Sequence, residues 1–207
     1  MKSIFIQTPP DQRGATLIVS LVMLLIVLML STSFAGMAVM GEKAARNERD
    51  KQIAMHAAEA ALTDAEKDIE NSTAASSRSV IFSPYSTEGF TDDCGKGDEN
   101  RYQGLCANYE SGKKDAWLAV DLANTDTGSP SVQFGRFTGR VMPSGAGPFP
   151  GRLPRYIIEL MLDDTPGQPT HAVYIYRITA VGFGTDSSTQ IVLQSFYRKT
   201  KTEESLT

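Results

Sequence analysis

The chain has 207 residues, 41% hydrophobic and 21% charged, with a formal net charge of −4 at pH 7, a size that leaves room for one modest domain. With no Lys or Arg cluster beyond Lys113-Lys114, that balance excludes nucleic acid as a direct partner, because phosphate binding needs clustered cations. Two cysteines and two histidines are too few for a disulfide scaffold or a four-ligand zinc site, and no G-x-S-x-G nucleophile elbow occurs. The expectation is therefore no enzyme, no cofactor and no metal.

Lys2, Asp11 and Arg13 give residues 1–14 a small positive charge, and Gly14 separates them from a run with no charged residue between Ala15 and Gly41. About 27 residues at ~1.5 Å each make a helix of roughly 40 Å, enough to cross a hydrocarbon core of ~30 Å. Three readings of this segment compete. It is an uncleaved anchor, a secretory signal cut after the small-x-small site Ser33-Phe34-Ala35, or a leader cut at Gly14 so that the apolar run is retained. The apolar run is longer than the ~7–15 residues of an ordinary signal core. Lys43, Arg46, Arg49 and Lys51 beyond it outnumber Lys2 and Arg13 before it, so charge alone does not set its orientation.

From Glu42 to Glu70 there is no Pro or Gly, and Ala, Glu, Lys and Arg dominate. The spacing predicts one helix from Ala15 to Glu70, roughly 84 Å long, with soft points at Gly36 and Gly41. Met55, Ala58, Leu62, Ala65 and Ile69 recur at intervals of three and four and form a narrow seam expected to pack on a sheet. Residues 42–51 lack such a stripe, so the domain should grip the helix only after about Ile53. His56 and Glu59 share a helix face, but two ligands do not make a metal site.

Asn71 to Ser79 should end the helix, and Ser83-Pro84-Tyr85 opens a region dense in Gly, Pro, Ser, Asp and Asn. Trp117-Leu118-Ala119-Val120 and Val132-Gln133-Phe134 are its short strand candidates. Cys94 and Cys106 are expected to anchor it as a disulfide, contributing about 3 kcal/mol in the chain-entropy model and implying an oxidising compartment. No C-x-x-C spacing or neighbouring His suggests a reactive thiol pair. Residues 92–100 resemble a calcium loop in composition, but their oxygen spacing does not fit one and Lys96 sits in the middle.

After Pro154 the texture changes to β-branched and aromatic runs: Tyr156 to Leu162, Ala172 to Val181 and Gln190 to Tyr197, with His171 at a strand entry. Turn-like separators from Asp163 to Gly167 and from Gly182 to Ser188 predict a three-stranded antiparallel meander packed on the Met55–Ile69 seam. The fold class is α+β: a long N-terminal helix on a C-terminal antiparallel sheet, with a loop-rich, disulfide-containing insertion between them.

Arg13-Gly14-Ala15-Thr16-Leu17-Ile18 followed by an apolar helix resembles the type IV prepilin cleavage site. There a membrane aspartyl peptidase cuts after the glycine and the new amino terminus is methylated, which implies cleavage between Gly14 and Ala15 and N-methylation of Ala15. The block Ala54-Met55-His56-Ala57-Ala58-Glu59-Ala60-Ala61-Leu62, with Asn47-Glu48-Arg49-Asp50 before it, resembles the PilX-type minor pilins, in which Glu59 belongs to an A-E-A-A-L motif. Tyr176 to Gly182 and Gln194 to Arg198 resemble the C-terminal module of the same family. Most pilins carry Glu where this chain has Val19, and loss of that carboxylate is associated with minor subunits, including those proposed for a pilus tip.

The resemblance implies a pilin-like fold divided into a leader (1–14), a membrane and assembly helix (15–41), a periplasmic amphipathic helix (42–70), a loop-rich region (71–154), a β-meander (155–198) and a tail (199–207). It implies a non-catalytic subunit for pilus biogenesis, partnered by minor and major pilins, the prepilin peptidase, the inner-membrane assembly platform and the lipid bilayer. The expected location is the inner membrane with the C-terminal domain in the periplasm, then the pilus. An adhesin or ligand-binding module using the loops between Pro84 and Pro154, or a secreted periplasmic protein with an ordinary signal peptide, remains the alternative.

Overall fold

The computed structural model describes residues 14–70, 73–96, 100–110, 112, 114–163 and 173–199, with the side chains of Ser33 and Ala35 left aside. Most of the expected leader, the turn residues 164–167, His171 and residues 200–207 lie outside this set, as do residues 97–99 of the calcium-like loop and the side chains of the small-x-small site. The chain divides into two compact units, before and after the boundary between Asn47 and Glu48.

The first element, α1, is one helix from Ala15 to Glu70, continuous through Gly36 and Gly41. In the first unit it is exposed on every side. In the second unit it is amphipathic and lies on a sheet. A 3-10 turn, Ser79–Ile81, follows it. Then come β1 (Leu105–Ala107), α2 (Ala116–Ala119), β2 (Val132–Gln133), β3 (Arg155–Leu162), β4 (Tyr174–Phe183) and β5 (Gln190–Tyr197).

The three long strands form the expected antiparallel meander, β3 pairing with β4 and β4 with β5. The sheet is nevertheless mixed, because β1 adds in parallel to the outer edge of β3 at Leu105↔Ile158, while β2 pairs antiparallel with the start of the same strand. Strand period explains the two layers. Tyr156, Ile158 and Leu160 of β3 and Tyr176, Ile178 and Ala180 of β4 point to the α1 side and join Ala61, Ala65 and Ile69 in one core. The alternate residues Ile157, Val181 and Phe183 face away and build a second core with Cys94, Cys106 and Leu122. A strand covered on both faces buries nearly every residue, and β4 does so from Tyr176 to Phe183, including Arg177 and Thr179.

One short element differs from expectation. Trp117-Leu118-Ala119-Val120 is not a strand but the helical turn α2, where the Val120 N–H donates to the Ala116 carbonyl. Its entry is fixed by the buried Glu159, whose Oε1 accepts the Ala116 N–H at 2.7 Å. Helical spacing then puts Trp117 and Val120 together on the second core, while Leu118 faces out.

Candidate functional site

Gly14 immediately precedes the first residue of α1, Ala15. From there to the unit boundary the helix has the properties of a surface awaiting a partner. Every large apolar side chain from Leu17 to Met40 whose exposure is described is at least 47% exposed, whereas a buried Leu, Ile or Met contributes about 1.5–3 kcal/mol. The segment is long and apolar enough to cross a membrane. Its hydroxyls return their protons to the helix: Ser20 Oγ to the Leu17 carbonyl, Ser31 Oγ to Val27 and Thr32 Oγ1 to Met29, at 2.7–2.9 Å. No hydroxyl in these three pairs then needs water, which suits an apolar surrounding. Val19 is part of this exposed apolar surface.

Below the boundary α1 is held by the fold. The residues it buries are Ala54, Ala57, Ala58, Ala61, Asp64, Ala65, Asp68 and Ile69. The expected seam is therefore corrected at one end: Ala58, Ala65 and Ile69 are buried and Leu62 packs partly on the core, but Met55 is 44% exposed. The cause is distance. A Cβ at Gly182 of β4 would stand 2.0 Å from the Ala54 carbonyl oxygen and 2.3 Å from the Ala58 nitrogen, so helix backbone lies directly on strand backbone and only small residues fit the contact line. Glu59 lies outside that line, exposed, with its Oε2 3.1 Å from His56 Nδ1.

The grip begins slightly earlier than Ile53. Asp50 Oδ1 accepts the Thr185 and Asp186 N–H groups, in space left by Gly184, where a Cβ would meet the carboxylate at 2.5 Å. The Thr189 hydroxyl, then the two amides, hold the Asp50 carboxyl below its ordinary value. At the other end Lys199 Nζ donates to the carbonyls of Ile69 (2.7 Å) and Ser79 (3.0 Å). It supplies a cation where the helix leaves carbonyls unpaired. Lys199, assigned to the tail by sequence, is thus the cap of α1.

Two buried acids on the α1 contact face were not legible as such. Asp64 Oδ2 accepts the Gly135 N–H at 2.7 Å and its Oδ1 the Thr138 hydroxyl, and burial raises its carboxyl above the ordinary value despite these bonds. Asp68 receives Arg78 Nε and Nη2 together with the Tyr156 hydroxyl at 2.9 Å. Arg78, 1% exposed, also donates Nη1 to the Arg101 and Gln103 carbonyls and lies 3.7 Å from the Phe137 ring centroid. On the opposite face of the sheet Arg177 forks onto Glu159, Nε to Oε2 at 2.9 Å and Nη2 to Oε1 at 2.8 Å, and reaches Asp115 at 2.7 Å. The signal for the first pair is present in the sequence: Asp64 and Asp68 are four apart and in phase with Ala57 and Ala61. Their cationic partners cannot be read from that phase.

Cys94 and Cys106 form a disulfide that joins the loop to β1 on the sheet face opposite α1. Among the described residues no group of three or more His, Cys, Asp or Glu could hold a metal ion.

Residues 90–199 match the family described as "Type IV pilus assembly protein PilX C-term", and residues 13–63 match "PilX N-terminal". The chain belongs to the PilX family. No curated protein and no solved structure matches it. The two PilX matches fall on the parts that the fold makes distinctive: the N-terminal one covers the apolar helix and the start of the alanine face, and the C-terminal one covers the sheet and its disulfide. The family gives the chain a role as a minor pilin in type IV pilus assembly, a structural component that acts with other pilins.

Proposed function

We propose that this protein is made with a leader cut between Gly14 and Ala15, methylated at Ala15, held in the inner membrane by residues 15–41 with its head in the periplasm, and then built through that helix into the pilus or its priming and tip complex. The observation that carries the reading is the contrast along α1: an apolar segment exposed on every side, joined without a break to one whose small-residue face is already covered. Before assembly lipid covers the first segment, and afterwards the helices of neighbouring minor and major pilins do. The gain on transfer is not hydrophobic, because lipid tails are as apolar as Leu; close packing between helices supplies it. Val19 carries no charge into either environment, so no carboxylate has to be desolvated or paired there. The peptidase and the assembly platform are the partners for processing and insertion.

Mass spectrometry of the N-terminus of the mature protein tests this. Methylated Ala15 is the expected result. A chain starting at Gly36 would identify a secretory signal, and an intact Met1 a plain anchor; either overturns the assembly mechanism.

A further inference from the structure

One feature of the head lies apart from the apolar helix on which the assembly reading rests. Between β2, the turn that follows it and the start of β3 lies an open cleft of about 360 Å³ lined by Arg136, Arg140, Arg155, Gln103, Gln133 and Thr125. Among the described residues three guanidinium groups and no carboxylate line it, in a chain whose net charge is −4.

Two of the three arginines, Arg140 and Arg155, are held by neighbouring groups, while Arg136 reaches the surface. The turn bearing Arg136 and Arg140 is pinned to α1 by Asp64, which accepts the Gly135 N–H and the Thr138 hydroxyl. It is closed by the Gly139 N–H on the Gly135 carbonyl at 2.8 Å. Arg140 lies over the Phe134 ring, 5.1 Å from its centroid. Arg155 is buried and donates Nε to Ser131 Oγ at 2.7 Å. Arg140 Nη1 is buried and meets no hydrogen-bond acceptor among the described residues; its closest acid, Asp64 Oδ1, is 3.8 Å away. A buried guanidinium donor without an acceptor is costly, and an anion toward which Arg140 turns would satisfy it.

The geometry points to this cleft as a binding site for a small oxyanion-bearing ligand, in which carboxylate or phosphate oxygens are received by the forks of Arg136 and Arg140, with Arg155 adding positive charge from behind and the side chains of Gln133 and Thr125 giving polar lining. Carboxylates and phosphates share the planar or tetrahedral oxygen pairs that a guanidinium fork matches. The inference stands apart from the assembly role, since none of these residues belongs to the apolar helix.

The test is calorimetric titration of the full chain in detergent micelles with inorganic phosphate and, separately, citrate, each against sodium chloride of equal ionic strength. Saturable binding of at least one of them is expected, and which one binds tells a phosphate-bearing ligand from a carboxylate-bearing one. R136Q/R140Q should raise the apparent Kd about tenfold or more, as expected when charge-assisted hydrogen bonds are lost. Arg136 is exposed, so R136Q alone provides a variant that keeps the fold and should weaken binding severalfold. Heats indistinguishable from chloride for both probes, or an unchanged Kd in folded R136Q, overturn the inference.

Discussion

Residues 17–40 and residues 54–69 belong to one helix and differ first in side-chain size. The upper stretch carries Leu, Ile, Val, Met and Phe on all sides and exposes them; the lower one turns Ala54, Ala57, Ala58, Ala61 and Ala65 toward a sheet and buries them completely or nearly so. Large flexible side chains suit surroundings that change, since they fill whatever space lipid or a neighbouring helix leaves. Small ones suit a fixed partner, because they let two backbones approach to contact. The helix thus separates an uncovered half from a folded one by residue size, and the boundary between Asn47 and Glu48 is where one replaces the other.

The sharpest way to break that contrast is to attack the lower half. Asp68→Ala leaves Arg78 buried with its main partner gone, and losing one member of a buried pair costs about 3–5 kcal/mol. Chemical denaturation of the full chain in detergent, followed by near-ultraviolet circular dichroism of the head, should show a loss of this size. Leu24→Ala in the upper half should stay within about 0.5 kcal/mol by the same measurement. Equal effects of the two would mean that the head depends on the upper helix after all.

A loss of about 3 kcal/mol is expected from Gly182→Val, the upper end for overpacked contacts because the clash is with helix backbone. The added side chain has to displace the backbone at Ala54 and Ala58, so amide exchange should rise along residues 54–58 before it rises at Ile69. Uniform exchange along the face would show that the close approach at Gly182 does not organise it.

The smallest effect is the pH dependence of the upper edge of the grip. Because the Thr189 hydroxyl and the Thr185 and Asp186 amides lower the native value of Asp50, its contribution is complete above the ordinary carboxyl value of 3.8 and is lost as pH falls through the lowered native one. Exchange of the Thr185 amide should therefore quicken on acidification below that point, and Asp50→Asn should remove this dependence. A Thr185 amide whose protection ignores pH in that range would place the grip elsewhere.

Much of this arrangement is legible in the sequence because it rests on long repeats of one signal. Fifty-six helical residues without a proline and three β-branched runs of eight to ten residues outweigh any local ambiguity. Short elements lack that redundancy. β1 is only Leu-Cys-Ala, and its parallel place beside β3 depends on residues more than fifty positions away. α2 reads as a strand because Trp and Val favour strands; a carboxylate from β3 overrides them. Met55 fails for another reason, since size suggested the anchor of the seam while the closeness of Gly182 selects the alanines. At the candidate cleft the individual arginines are visible, but their convergence is a property of the fold alone.

Asp50 and the Thr185 amide that holds it are 135 positions apart. At a synthesis rate of about 5–20 residues per second, the alanine face of α1 exists for roughly 7–27 seconds before the strand that covers it has been made. Long-range closure of this kind is slow in its own right. The head is therefore a late-folding structure on an early-made helix. During that interval its small-residue face offers other chains little apolar area to adhere to, which makes alanine a safer choice there than leucine for reasons of timing as well as fit.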